Sequence, residues 1–225
     1  MVLTLVDRQR MNVPVGHHTL GPYRAFGDES LATKPDGKVV YSLSAMLVTG
    51  SQSEQIRHGL RQLHPLDGTK LHWRKSSTSQ RPVLMSAILR CDFRGVLVSV
   101  EHPPSTKEER LRRWCLIQML PELDRLGCGD LILESRNQHL DRREREVLLS
   151  IFGQAHRPLT ARLSHARGAD EPLLWLADIV CGAFTMAQRG DSSAWDLLSH
   201  RITHIALDDK GYPIPAPQGH RPDSP

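Results

Sequence analysis

Three acidic side chains stand among apolar neighbours: Asp28 in the run YRAFGDES, Glu134 at the end of DLILE, and Asp178 inside WLADIVCGA. A carboxylate in such surroundings is costly unless it is paired or meets a cation. Three carboxylates gathered together also repel, raising one another's pKa values until positive charge joins them. A hard divalent ion does this, because Mg²⁺ and Mn²⁺ take oxygen ligands and keep waters for a phosphate group. Ions held in that way activate water and stabilise the leaving oxygen of a phosphodiester. Asp28, Glu134 and Asp178 are therefore the expected metal ligands and catalytic residues, with Mg²⁺ or Mn²⁺ as the expected cofactor. Each has an ordinary alternative: Asp28 as a turn residue, Glu134 paired with Arg136 or Arg142, Asp178 satisfied by His165 or Arg167. Glu29 and Asp141 neighbour these acids in sequence and are candidates for an extra ligand or for a group that orients one. Successive strand residues face opposite sides, so only one of Asp28 and Glu29 can face the site, and Asp28 is the expected one. His72, in KLHWRK, is a candidate for touching phosphate or assisting proton transfer, since imidazole titrates near neutrality; the alternative is a residue of the surface or core edge.

The elements that must position these groups can be read from periodicity. YRAFGDES and KVVYSLSAMLVTG, joined by the turn KPDGK, predict a hairpin. A helix is expected from a Ser51 or Ser53 cap to about His64, and a second from about Ser77 to Leu89, before the strand FRGVLVSVE. The stretch of about 51–90 is thus a helical insertion between the second and third strands, carrying LHW. Beyond it, STKEERLRRWCLIQMLPELDRLG repeats apolar residues with a helical period and ends at Gly127. DLILESR then predicts a strand, DRREREVLLSIFGQ a helix, LTARLSHA a strand and EPLLWLADIVCGAFTMAQR a long apolar helix. His200 and His204 have the spacing of two zinc ligands but no third partner, and they read as ordinary helix residues. A three-strand antiparallel meander followed by βα units, with a helix closing the sheet, is an α/β mixed sheet of the ribonuclease H-like kind. It sets the first and fourth strands side by side, with the last helix against the same end. One domain is expected over 21–207, after a mobile segment 1–20 and before an extended Pro-rich tail 208–225.

Composition bounds the partners. The 225 residues are 39% hydrophobic and 24% charged, the balance of a chain able to bury one sizeable core. Net charge is +4, with basic residues concentrated in KLHWRK, Arg110 to Arg113 and Arg142 to Arg145. Lys70, Arg74 and Lys75 are the expected nucleic-acid contacts, since each cation near a phosphate releases counterions. Such runs also occur as the solvated faces of helices. The N-terminus lacks the pattern of a secretory signal, and no stretch approaches the roughly 20 uncharged apolar residues of a membrane helix. Four cysteines without a C-x-x-C pair read as reduced thiols, so a cytoplasmic location is expected. Phosphate-loop, dinucleotide and G-x-S-x-G motifs are missing, which disfavours nucleotide hydrolysis and serine-hydrolase chemistry.

GDES at 27–30, LHW at 71–73, LILESR followed by Asp141, and WLADIVCGA at 175–183 together resemble the family called domain of unknown function 3800, grouped with ribonuclease H-like folds. The resemblance spans about residues 23–190, and its two end motifs are the specific part. It implies a carboxylate site in which Asp28 and Glu29 match the family's Asp-Glu-Ser-Gly start, Glu134 takes a strand position usually held by Asp, and Asp178 matches the Asp of a Leu-Gln-Leu-Ala-Asp segment. Leu31 replaces the usual Gly and Trp175 the usual Gln, and Glu for Asp lengthens one ligand arm by a methylene. The activity expected is divalent-metal-dependent hydrolysis of RNA, DNA or a hybrid. The alternative is a non-catalytic module of the same fold that binds nucleic acid or protein, in a defence or mobile-element context.

Overall fold

The computed structural model describes residues 22–63, 69–153 and 161–215; the segment expected to be mobile, 1–20, lies outside the described residues. Strands β1 (Tyr23–Thr33) and β2 (Val39–Thr49) form the expected hairpin, and β3 (Arg94–His102) extends it into an antiparallel meander. Strand β4 (Cys128–Glu134) then lies parallel to β1, and β5 (Arg162–Ala166) parallel to β4. This is the α/β ribonuclease H-like arrangement that the sequence predicts. A sixth strand, β6 (Ile202–Leu207), adds parallel to β3, giving the order β5-β4-β1-β2-β3-β6.

That sixth strand corrects the helical reading of His200 and His204. His200 lies in a single 3-10 turn, while His204 sits in β6 with Nε2 2.8 Å from Ser99 Oγ. The four-residue spacing imitates a helix face, but the short ITHIAL segment satisfies its backbone on β3. The Pro-rich stretch also begins folded. Ile214 donates its amide to the Ala206 carbonyl at 2.8 Å, and Gln118 on the neighbouring helix donates to the Gly211 carbonyl at 3.3 Å. The rest of that stretch, 216–225, lies outside the described residues.

Helices cover both faces of the sheet. On one, α5 (Leu173–Gln188) packs against β1 and β2 with the insertion helices α1 (Gly50–Gln62) and α2 (Gln80–Leu89), burying Phe26, Met46, Ile56, Ile88 and Ile179. On the other, α3 (Glu108–Arg125) lies over Tyr41, Leu43 and Val98, and α4 (Gln138–Phe152) adds Leu148 to the same cluster. A short α6 (Ser193–Leu198) leads into β6. Thr49 rather than Ser51 or Ser53 caps α1, giving its amide and hydroxyl to Gln52 Oε1. No helix among the described residues is long and apolar enough to cross a membrane.

Candidate functional site

The register that pairs Gly27 with Leu133 brings Asp28 beside Glu134, the last residue of β4. Their side chains project from the sheet face that carries Phe26 and Ile132, and so does α5, which is held there by Ser44 Oγ donating to the Ala177 carbonyl at 3.1 Å. Asp178 follows in the first turns of α5. Strand order and helix packing together therefore bring all three acids to one end of one sheet face.

What they surround is a lysine. The Lys70 Nζ stands 2.6 Å from Asp28 Oδ2 and 3.5 Å from Asp178 Oδ1, and it also donates to Glu134 Oε2. The lysine side chain is only 7% exposed. Its placement follows from the extended backbone preceding the 3-10 turn Trp73–Lys75. Leu71 and Trp73 are buried in the α5 core, so alternation turns Lys70 and His72 towards the carboxylates. His72 Nδ1 lies 3.6 Å from Asp178 Oδ1, and the Trp73 amide donates to Asp178 Oδ2 at 2.6 Å. Two glycines make room. At Gly182 a Cβ would stand 2.1 Å from the Trp73 ring, and at Gly168 it would stand 2.3 Å from Glu134 Oε1 and 2.5 Å from Lys70 Cδ. The Lys70 stem thus runs through a slot that a larger residue at 168 would close.

Among the described residues no set of three or more His, Cys, Asp and Glu side chains stands ready to hold a metal ion; the three carboxylates surround an ammonium instead. Lys70, expected as a nucleic-acid contact, here places its ammonium on the acids. Arg74 and Lys75, by contrast, are exposed. The partners also differ from the ordinary alternatives: Glu134 meets Lys70 and not Arg136 or Arg142, and Asp178 meets Lys70, His72 and Trp73 and not His165 or Arg167. Burial drives the Asp28 pKa well above the usual carboxylate range; Lys70 opposes the rise, while Glu134 and Asp178 add to it. For Asp178 burial also pushes upward, but His72, Lys70 and the Trp73 amide outweigh it and hold the group below its ordinary value. Burial opposes the charged form of Lys70, yet the three acids raise its pKa.

Glu29 and Asp141 do not join this cluster. Asp28 faces Lys70 and Glu29 the other side of the sheet, as strand alternation requires. There Glu29 Oε2 lies 2.8 Å from Arg112 Nη1 and accepts from the Tyr41 hydroxyl. Asp141 accepts from Ser135 Oγ at 2.5 Å and the Arg136 amide at 3.2 Å, a local clasp at the start of α4. Arg112, 2% exposed, links Glu29 to Glu144, whose Oε1 is 2.6 Å from the Arg112 Nε and whose Oε2 is 2.8 Å from His165 Nε2. This network was not legible as such, although Arg112 sits at helical spacing from the buried Leu116, Met119 and Leu123.

Burial would raise the Glu144 pKa, but His165 and Arg112 overcome it and bring it down to about 2, from an ordinary 4.5. A depressed carboxyl stabilises the fold above its unfolded pKa and loses that contribution as pH falls through the folded value. At roughly 1.4 kcal/mol per unit this amounts to about 3 kcal/mol. Glu144→Gln is therefore expected to lower unfolding free energy by about that amount at pH 7, with the difference vanishing between pH 4.5 and pH 2. Urea unfolding across this range checks it, and a constant difference would contradict it.

Beside Asp178 and His72 opens a cleft of about 300 Å³ whose walls include Arg74, Arg81, Arg189 and Trp73. The Arg81 guanidinium lies over the Trp73 ring, 5.4 Å from its centroid, and its buried Nε has no hydrogen-bond partner among the described residues. Arg81 comes from α2 and Arg189 from just past the end of α5, and neither stands out in the sequence.

A scan of protein-family models and a search of curated proteins find no match to the chain. Among solved structures it is similar to ribonuclease HII of Archaeoglobus fulgidus, solved in complex with PCNA, at 19% identity and a TM-score of 0.49 over 74% of either chain. It is similar also to ribonuclease H2 of Pyrococcus horikoshii OT3, at 15% identity and 0.46 over 74% of this chain and 73% of that one. Bst-RNase HIII, solved with Mn²⁺, shares 10% identity and 0.39 over 76% of this chain and 56% of its own.

Proposed function

We propose that the chain is a divalent-metal-dependent phosphodiesterase acting on nucleic acid, with Asp28, Glu134 and Asp178 as the groups that hold the ion. The observation that carries this reading is the convergence of carboxylates from β1, β4 and α5 on one cation position beside an arginine-lined cleft. The donors are hard oxygens, which suit Mg²⁺ or Mn²⁺, and the Lys70 ammonium already stands where positive charge is required. A divalent ion bound there would supply an activated water and charge stabilisation for a leaving oxygen. The chain's own residues would do the rest. Arg74, Arg81 and Arg189 would carry the phosphate backbone into the cleft, planar guanidinium groups being matched to phosphate oxygens. His72, partly exposed next to Asp178, would hold or release a proton at Nδ1. The four cysteines are all unpaired thiols, in keeping with a reducing, cytoplasmic setting.

Cleavage of end-labelled RNA, DNA and hybrid duplexes in Mn²⁺, compared with EDTA, tests the reading. Metal-dependent cleavage of at least one substrate, lost in Glu134→Gln, is expected; no cleavage of any would contradict it. The buried Lys70 gives weight to a second reading, a module of the same fold that binds nucleic acid without cutting it, and the same assay separates the two. Under either, Arg81→Gln is expected to weaken binding of a short oligonucleotide in EDTA about tenfold and to make the slope of log affinity against log salt shallower by about one. Fluorescence anisotropy at several salt concentrations measures both, and an unchanged slope would remove Arg81 from the phosphate path.

A further inference from the structure

Lys70 is built into its place. Its stem passes the Gly168 slot, buried Leu71 and Trp73 anchor the residues beside it, and its ammonium takes up one oxygen of each of three acids. A cation on a tether is present at high effective concentration, so anything else seeking the same oxygens must compete with it. The competitor has somewhere to send it. A cavity of about 400 Å³ is lined by Lys70 itself together with His72, Lys75 and Gln80. A flexible four-carbon side chain can turn into such a space through rotamer changes alone.

Resting on the metal-site reading above, we infer that Lys70 is a tethered counter-cation that holds the carboxylate site closed and that a divalent ion occupies the site only by displacing it. Metal affinity is then set by the exchange as well as by the ligands: the apparent dissociation constant rises by the inverse of the fraction of molecules in which Lys70 is out. Removing the ammonium leaves the same oxygens without a competitor and with more uncompensated negative charge, and both changes favour the metal.

Two measurements test this, one of them on the unaltered chain. Calorimetric titration of Mn²⁺ is expected to give at least tenfold tighter binding to Lys70→Met than to the wild type. Reductive methylation of wild-type lysines, read by peptide mass spectrometry, is expected to be slow at Lys70 in EDTA and at least tenfold faster at saturating Mn²⁺, with the exposed Lys75 unchanged. The second measurement stands even where the substituted chain folds poorly. Mn²⁺ that binds the wild type and leaves Lys70 protected overturns the displacement and leaves the carboxylates as a metal site. Mn²⁺ that binds neither the wild type nor a folded Lys70→Met overturns the displacement and the metal-site reading together.

Discussion

Glu134→Gln is expected to reduce metal-dependent phosphodiester hydrolysis at least 100-fold while changing the melting temperature little. Groups that merely orient a metal ligand are worth about 10- to 100-fold when removed, so loss of a ligand's own charge should reach or exceed the upper end. The fold should tolerate the change because the Glu134 side chain is 25% exposed, at the open edge of the cluster. Gln keeps its length and one oxygen facing Lys70, and the charge it removes is one of three crowded around a single ammonium. Initial rates on the best substrate and thermal melts of both proteins in EDTA check the two halves. A rate within tenfold of the wild type would take Glu134 out of the metal-holding set.

Lys70→Met has the larger expected effect on the fold. Deleting one partner of a buried ion pair leaves the other uncompensated, at a cost of about 3–5 kcal/mol. Here the ammonium is the cation that Asp28, Glu134 and Asp178 share. Met matches the stem that passes Gly168, so the loss isolates the charge. For a domain of this size the melting temperature in EDTA should fall by on the order of 10 °C. Combining the change with Asp28→Asn should return part of the loss, because Asp28 is the most deeply buried of the three and burial already opposes its charge. Thermal melts of the single and double variants measure both effects. An undiminished melting temperature in Lys70→Met would mean that the acids do not depend on the lysine.

Much of the scaffold was written in local pattern. The hairpin around KPDGK and the helical insertion follow from periodicity and turn signals, the pairing of β1 with β4 from the ribonuclease H-like arrangement that the order of elements suggests, and the alternation of Asp28 and Glu29 across the sheet needs only the two-residue repeat of a strand. Partner choice is different, because an ion pair between β1, β4 and a loop 42 residues from Asp28 leaves no mark on any one segment. Lys70 lies in KLHWRK with Arg74 and Lys75 close by, a clustering that reads as a basic surface. The available signal was the alternation of Leu71 and Trp73, two core residues that force Lys70 and His72 to share the opposite side. Arg112 was hidden in the same way inside RLRR, although its spacing from Leu116 and Met119 puts it on the buried stripe of α3. The strand β6 was missed because six residues with two histidines nearby carry too little pattern to outweigh a helix-like spacing.

The most direct test of the site is a crystal structure determined with Mn²⁺, using anomalous scattering to locate the ion. The expected result is one strong peak at about 2.1 Å from oxygens of Asp28, Glu134 and Asp178, with the Lys70 ammonium withdrawn from between them. Lys70 still seated on all three carboxylates, with no peak beside them at saturating Mn²⁺, would contradict the assignment of this cluster as a metal site.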